Sequence, residues 1–136
     1  MADPRAFISF DFDHDNDQRV LFAGQAKNSK TPFDIEDWSS KDDLDQDKWE
    51  EIIEAKISKC HMVIVLCGKY MASATGVKKE IQMASKNNVP YFGVYIGGAD
   101  KNSNLPEGLQ RGRVVNWGWD DIANAIDQMM TEGKNK

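Results

Sequence analysis

The sequence predicts an α/β fold, a flavodoxin-like, doubly wound sheet of five parallel strands with helices on both faces. Two observations support this prediction. Short apolar segments alternate with longer segments whose apolar residues repeat at helical spacing, which is the pattern of consecutive strand–helix units. The third apolar segment, residues 62–67, is apolar throughout (MVIVLC), as expected of a parallel strand covered on both faces. Right-handed crossovers between such units favour the strand order 2-1-3-4-5.

The first unit begins with residues 7–10, which are rich in strand formers. A helix is predicted after it, because Asp15 and Gln18 have the spacing of a capping box. This helix is expected to end near Lys27.

The second unit is weaker in its strand and clearer in its helix. Residues 33–35 form a short predicted strand that is bounded by Pro32 and an acidic loop. Behind the capping candidate Asp47, four apolar residues repeat at helical spacing: Trp49, Ile52, Ile53 and Ile57. They are expected to form the inward face of the second helix.

The remaining units complete the sheet. A helix carrying Glu80 follows residues 62–67, and the sequence Asn-Asn-Val-Pro ends it before a fourth strand at residues 91–96. Val114 and Val115 form a short fifth strand. The last helix has an apolar face that indicates core packing: Trp119, Ile122, Ala123, Ile126, Met129 and Met130.

Composition limits the function. A chain of 136 residues with 40% hydrophobic content fits a single domain, residues 1–136 with a core of about 5–130, that buries roughly two thirds of its unfolded surface. A net charge of −5 and a pI near 5.0 argue against nucleic acid as a partner, since phosphates demand a basic surface. No segment has the length of a signal-peptide core or a membrane span, so we expect a cytoplasmic protein that does not bind membranes.

Two cysteines flank the predicted central strand. At about 3.3 Å per residue, Cys60 and Cys67 lie roughly 23 Å apart, beyond the reach of a disulfide. We expect both to be free and buried, as in a reducing compartment. Neither has a second ligand at zinc-site spacing, so no metal site is predicted.

Glu80 is the most informative candidate residue. At 100° per residue it lies about 60° from Val77, at the margin of the apolar face formed by Val77, Ile81 and Ala84. A purely solubilising charge would be expected on the opposite face with the lysines. In the predicted sheet, ligands bind beyond the carboxyl ends of the strands, between the first and third. This places Glu80 near residues 9–13, Trp38 and Tyr70.

Several other chemistries are inconsistent with the residues. A calcium loop starting at Asp11 would need Gly at position 16 and Glu at position 22, where Asn16 and Phe22 stand. A phospho-acceptor receiver needs an Asp where Cys67 ends the third strand. The acidic loop after the first strand would repel the phosphate of a flavin. The sequence contains neither a dinucleotide-binding fingerprint nor a P-loop. Ser9 has no obvious His and Asp partners for the catalytic triad of a hydrolase.

A single inward carboxylate suits cleavage of a glycosidic bond whose leaving group is already cationic. Nicotinamide leaves NAD as a neutral molecule and needs no general acid. One anion is then enough to stabilise the ribosyl oxocarbenium ion, whereas ordinary glycosidases use two carboxylates. Glu80 is the candidate anion. Nearby aromatic residues are candidates for stacking on the bases: Phe10, Phe12, Trp38 and Tyr70.

Three segments resemble the TIR domain superfamily, in particular its bacterial TIR-like branch, which includes the TIR-like subunit of Thoeris antiphage systems. Phe-Ile-Ser-Phe at residues 7–10 resembles the first TIR box. Residues 65–81 resemble the family segment V-L-S-x-x-Y-x-x-S-x-W-C-x-x-E-L, with Tyr70, Ser73 and Glu80 at the corresponding positions, although Gly76 replaces the family Trp and the final spacing is one residue longer. Val-Val-Asn-Trp at residues 114–117 is similar to the last strand of that branch.

The resemblance implies an enzyme that cleaves NAD or converts it to a cyclic ADP-ribose signal, with Glu80 catalytic. In this hypothesis Ser9, Phe10, Asp11 and Trp38 form the substrate pocket, and Tyr70 and Ser73 border it. NAD is then a substrate, and no cofactor is expected. The expected partners are NAD or a related nucleotide, further copies of the chain and a separate effector protein.

Two alternatives remain open from the sequence. One is a module that associates through its TIR-like surfaces and has no catalytic activity. The other is a nucleoside deoxyribosyltransferase, which would use the carboxylate as a nucleophile.

Overall fold

The computed structural model describes seven segments of the chain: residues 5–10, 34–38, 46–68, 75–96, 98–100, 103–106 and 108–132. Within them the strands are β1 (Arg5–Ser9), β2 (Asp34–Trp38), β3 (Met62–Cys67), β4 (Tyr91–Tyr95) and β5 (Val114–Val115). The helices are α1 (Gln46–Ser58), α2 (Thr75–Lys86) and α3 (Trp119–Glu132), and a 3₁₀ turn (Arg111–Arg113) precedes β5. The helix predicted between Asp15 and Lys27 lies outside the described residues.

All described strands pair in parallel, in the order β2-β1-β3-β4-β5. The central strand β3 pairs with β1 on one side and with β4 on the other. Between β1 and β2 the register shifts after Ala6, where an additional β2 residue is accommodated. The predicted α/β class with a parallel sheet is confirmed.

The side chains of β3 alternate between two core clusters. Met62, Ile64 and Leu66 pack on the side covered by α3, together with Ile122 and Ile126 of that helix. The alternate β3 residues pack on the side covered by α1 and α2, together with Ile53, Ile57 and Ile81. Every residue of β3 is at most 1% exposed, which explains why this strand is apolar without alternation.

Two details of the helical faces differ from the prediction. In α1, Ile53 and Ile57 are fully buried, but Ile52 is 42% exposed because it lies 100° around the helix from Ile53. In α3, Ala125 belongs to the buried face and Met130 is 39% exposed. Each buried face is therefore narrower than the apolar pattern predicts.

The second strand also differs in position, spanning Asp34–Trp38 rather than residues 33–35. Asp and Glu are poor strand formers, so local propensity does not predict this extension. Pairing with β1 is what supports the strand.

Both cysteines are free and buried, as predicted. Cys60 is at the end of the turn that leads from α1 into β3, and Cys67 is the last residue of β3. Among the described helices, none is both long and apolar enough to cross a bilayer.

Gly93, in the middle of β4, is a position where a side chain would crowd its neighbours. A Cβ atom there would lie 2.8 Å from Cys67 Sγ, 3.0 Å from Leu109 Cδ2 and 3.1 Å from Val114 Cγ2. We expect Gly93→Ala to lower the free energy of unfolding by about 1–3 kcal/mol, because the neighbours have to shift. Gly112→Ala is the matched control, since nothing lies within 4 Å of its Cβ position. Urea denaturation measures the free energy of unfolding of both variants. Equal denaturation midpoints for Gly93→Ala and Gly112→Ala would contradict the steric explanation.

His61 connects the start of β3 to the start of β1 and makes stability depend on pH. Its Nδ1 accepts a hydrogen bond from the backbone N–H of Arg5 at 2.9 Å, so Nδ1 carries no proton in the folded state. Burial, and then the positive charge of Arg5, lower the pKa of His61 below its usual 6.5. The unfolded chain therefore binds this proton at higher pH than the folded chain does.

The stabilisation linked to His61 is expected to be complete above pH 6.5 and to be lost as the pH falls through the lowered pKa of the folded state. Urea denaturation of the wild type and of His61→Gln between pH 8 and pH 5 measures the effect. We expect the wild type to lose more stability than the variant on acidification. Parallel curves for the two proteins would show that His61 does not titrate differently on folding.

Candidate functional site

The candidate site is centred on Glu80 in the second turn of α2. This helix packs its apolar face on the sheet through Val77, Ile81 and Ala84, which are at most 2% exposed. Glu80 is 1% exposed, so it is part of this buried face rather than of its margin. Two lysines adjacent in sequence, Lys78 and Lys79, are both partly exposed, and Lys79 forms an ion pair with Glu50 of α1 at 3.0 Å.

Ser9 meets Glu80 at the carboxyl edge of the sheet. It is the last residue of β1 and pairs with Val65 of β3. Its hydroxyl donates a hydrogen bond to Oε1 of Glu80 at 2.6 Å, across 71 residues of sequence. The bond therefore lies beside the ends of β1 and β3, the two strands between which ligands bind in sheets of this order.

Ser9 and Glu80 are the only buried residues with polar or charged side chains in the part of the chain that the structure describes. A buried hydroxyl without a partner costs about 1–3 kcal/mol, and a buried carboxylate costs considerably more. At 2.6 Å the bond between them is at the short end of the range for O–H···O hydrogen bonds. The bond satisfies the Ser9 hydroxyl and one of the two oxygens of the Glu80 carboxyl group.

The other predicted site residues are not all brought together with this pair. Phe10 is 3% exposed and belongs to the core cluster on the α3 side of the sheet, whereas Ser9 and Phe7 point to the side of α1 and α2. Trp38 ends β2, next to β1, and its side chain lies outside the described part of the structure. Asp11, Tyr70 and Ser73 also lie outside the described residues, and their roles stay predictions.

The sequence predicts both Ser9 and Glu80 as site residues, but it does not predict the hydrogen bond between them. Ser9 was expected to contact substrate, and Glu80 was expected to face a cleft. A signal for their pairing exists, because Ser9 is the one polar residue in the run Ala6, Phe7, Ile8, Ser9, Phe10. A polar residue at a buried strand position requires a hydrogen-bonding partner.

Two open clefts lie elsewhere on the sheet and were not predicted. A cleft of about 560 Å³ lies beside the carboxyl ends of β4 and β5, with Tyr95, Arg111 and Asp121 in its wall. A second cleft of about 310 Å³ lies at the amino end of β4, beside Tyr91 and Arg113. The guanidinium group of Arg113 is held there by Glu132 at 3.1 Å and by the carbonyl of Tyr91 at 3.0 Å.

The described residues include no group of three or more side chains that could together hold a metal ion.

A family model described as "Thoeris protein ThsB, TIR-like domain" matches residues 7–101, which is more than half of the chain. The chain belongs to this family. The matched TIR-like region runs from β1 to beyond β4 and contains both Ser9 and Glu80. The resemblance expected from the first TIR box and from residues 65–81 is thus confirmed.

A solved structure supports the fold of this TIR-like domain. A prokaryotic SEFIR domain is similar over 95% of this chain and 97% of its own, with a TM-score of 0.52 and 18% identity. A 3-dehydroquinate dehydratase-like protein from Bifidobacterium longum aligns over 97% of this chain and 98% of its own, with 13% identity and a TM-score of 0.48. At these identities the likeness to the SEFIR domain concerns the fold alone. A comparison with curated protein sequences finds no match.

Proposed function

We propose that this TIR-like domain cleaves NAD at the nicotinamide–ribose bond, or cyclises it to a cyclic ADP-ribose-type signal, in bacterial antiphage defence. The observation that carries the proposal is the buried Glu80 carboxylate. It is hydrogen-bonded to Ser9 at the ligand-binding edge of the sheet. Membership of the Thoeris ThsB family supports the signalling role.

The chemistry requires only one anion. The bond between the ribose C1′ and the nicotinamide nitrogen breaks, and both electrons go to the nitrogen, which becomes neutral. Positive charge develops on the ribose as an oxocarbenium ion, which a preorganised carboxylate stabilises. Water then attacks C1′ and loses a proton to give ADP-ribose, or an adenine nitrogen attacks to give a cyclic product.

In this proposal Glu80 is the catalytic residue, and Asp11, Trp38, Tyr70 and Ser73 surround the substrate. Phe10 would support the pocket from the opposite side of the sheet rather than stack on a base, because its side chain packs in the α3-side core. NAD acts as a substrate, and neither a cofactor nor a metal is required.

Access to Glu80 requires a local rearrangement. A side chain that is 1% exposed cannot contact a ribose while the site has this conformation. We therefore propose that the single chain has a closed site, and that assembly with further copies or with a separate effector protein accompanies opening. Lids and loops that close over reacting groups are a common means of excluding water.

We infer further that residues 1–136 form a single flavodoxin-like, doubly wound domain that functions in the cytoplasm. The strand order β2-β1-β3-β4-β5 and the helices on both sides of the sheet support the fold. The net charge of −5 supports the absence of nucleic-acid partners.

The test is incubation of the purified full-length chain with NAD over a wide range of protein concentrations, followed by chromatography of nicotinamide and nucleotide products. We expect nicotinamide release that rises more steeply than linearly with protein concentration, and the same chromatogram distinguishes linear from cyclic products. Absence of turnover in every assembled state would leave a non-catalytic interaction module. Base exchange on deoxynucleosides without NAD cleavage would instead identify a deoxyribosyltransferase.

A further inference from the structure

We propose that Ser9 is a positioning residue, whose buried hydroxyl holds the Glu80 carboxylate ionised and oriented for the ribosyl cation. The catalytic part of this inference rests on the proposed function. It replaces the role of substrate contact that the sequence predicts for Ser9.

The geometry favours positioning over substrate contact. Ser9 has no exposed surface, and its hydroxyl lies 2.6 Å from Oε1 of Glu80. A serine hydroxyl has a single proton to donate, and this proton is used on the carboxylate. Ser9 therefore acts on the substrate through Glu80.

The two residues differ in how firmly the fold holds them. Ser9 belongs to β1, whose backbone pairs with β2 on one side and with β3 on the other. Its side chain has one rotatable bond to its hydroxyl, whereas the Glu80 side chain has three and extends from a helix. Because groups on rigid strands hold a site more precisely than flexible side chains do, the hydroxyl fixes the carboxylate rather than the reverse.

Stability alone does not explain the pair. The neighbours of Ser9 in β1 and of Glu80 in α2 are apolar and well packed. Replacing a buried, hydrogen-bonded charged group and its partner by apolar residues of similar size is often neutral or stabilising. The apolar alternative would serve the core at least as well, so the presence of this polar pair in the core points to a chemical role.

The hydrogen bond would act in two ways. Hydrogen bonding to the charged form of a carboxyl group favours that form, so the Ser9 bond opposes the effect of burial, which favours the neutral acid. The bond to Oε1 also fixes the orientation of the carboxylate relative to the ribosyl cation.

The kinetic test compares four variants of the full chain: Ser9→Ala, Ser9→Cys, Ser9→Thr and Ser58→Ala. Cysteine nearly keeps the serine volume but is a weak donor, so it tests the lost bond even if the alanine variant does not fold. Threonine keeps the hydroxyl. Ser58 is the matched control, because its hydroxyl bonds only the carbonyl of Ala55 within α1.

We expect Ser9→Ala and Ser9→Cys to lower kcat for nicotinamide release by about 10- to 100-fold with little change in KM, because misplacement of a catalytic group by about 1 Å costs that much. The acidic limb of the pH profile of kcat should move to higher pH. Ser9→Thr should restore both properties, and Ser58→Ala should leave both unchanged. A wild-type kcat and pH profile in the first two variants, or an effect on KM alone, would overturn the inference.

A second measurement does not depend on turnover. In protein labelled with ¹³C at the glutamate carboxyls, the signal that Glu80→Gln removes reports the titration of Glu80. We expect its pKa to be higher in Ser9→Cys than in the wild type. If NAD is not cleaved but this difference is found, the proposed function fails while the hydrogen-bonding role of Ser9 stands. Equal pKa values in the two proteins would reject that role.

Discussion

Replacing Glu80 by glutamine is expected to lower the rate of nicotinamide release from NAD by at least about 100-fold, since removal of one preorganised electrostatic group costs about 10²–10³ in kcat. Glutamine has the same shape as glutamate, and its amide oxygen still accepts a hydrogen bond from Ser9. It lacks the negative charge that stabilises the ribosyl cation. Single-turnover chromatography of nicotinamide measures the loss.

The matched control is Glu50→Gln, which removes a carboxylate from the neighbouring helix α1. Glu50 pairs with Lys79 at 3.0 Å, and both side chains are 37% exposed, so this ion pair contributes little to stability. We expect near wild-type turnover. Thermal unfolding provides a second control, because removal of a buried charge whose hydrogen bond is kept should not unfold the domain. Equal rates for Glu80→Gln and the wild type would exclude Glu80 from the chemistry.

Replacing Phe92 by alanine is expected to cause a large loss of stability. Phe92, the second residue of β4, is 1% exposed, pairs in register with Ile64 of β3 and packs in the α3-side cluster. Truncation of a buried phenylalanine removes its transfer free energy and leaves a cavity, at a cost of about 3–5 kcal/mol. This is a large part of the roughly 5–15 kcal/mol that stabilises a typical domain.

Denaturation with urea measures the effect, with Ile52→Ala as the control. Ile52 is 42% exposed on α1, so its truncation should change the free energy of unfolding by only about 0.5 kcal/mol. A Phe92→Ala variant with the midpoint and slope of the wild type would contradict the described core. Because Phe92 is on the other side of the sheet from Glu80, nicotinamide release per folded molecule should be kept.

The fold was predictable where burial determines the sequence pattern. The fully apolar β3 and the parallel arrangement follow from a strand covered on both faces. The helix faces were predicted less well, because an apolar residue such as Ile52 or Met130 beside a buried face has the same pattern as a core residue. Only the contacts of a side chain with the sheet distinguish an exposed apolar residue from a core residue.

Of the candidate site, the pair Ser9 and Glu80 was predictable from the sequence, but the hydrogen bond between them was not. Glu80 was identified because a carboxylate beside an apolar helix face is unusual, and Ser9 because it ends a strand near the expected ligand position. Their hydrogen bond joins residues 71 positions apart and depends on how α2 is seated on the sheet. The sequence around either residue carries no information on the distance between the Ser9 hydroxyl and Oε1 of Glu80. The burial of Glu80 was unpredictable for the same reason.

A nucleotide is expected to bind beside Glu80 at the carboxyl ends of β1 and β3. Amide ¹H–¹⁵N spectra of the Glu80→Gln variant test this without turnover, when they are recorded during titration with NAD at protein concentrations at which the wild type assembles. We expect the largest shift changes at Ser9, Cys67 and the first two turns of α2. Changes confined to the clefts beside Tyr95 and Arg111 or beside Tyr91 and Arg113, or no changes at millimolar NAD, would contradict it.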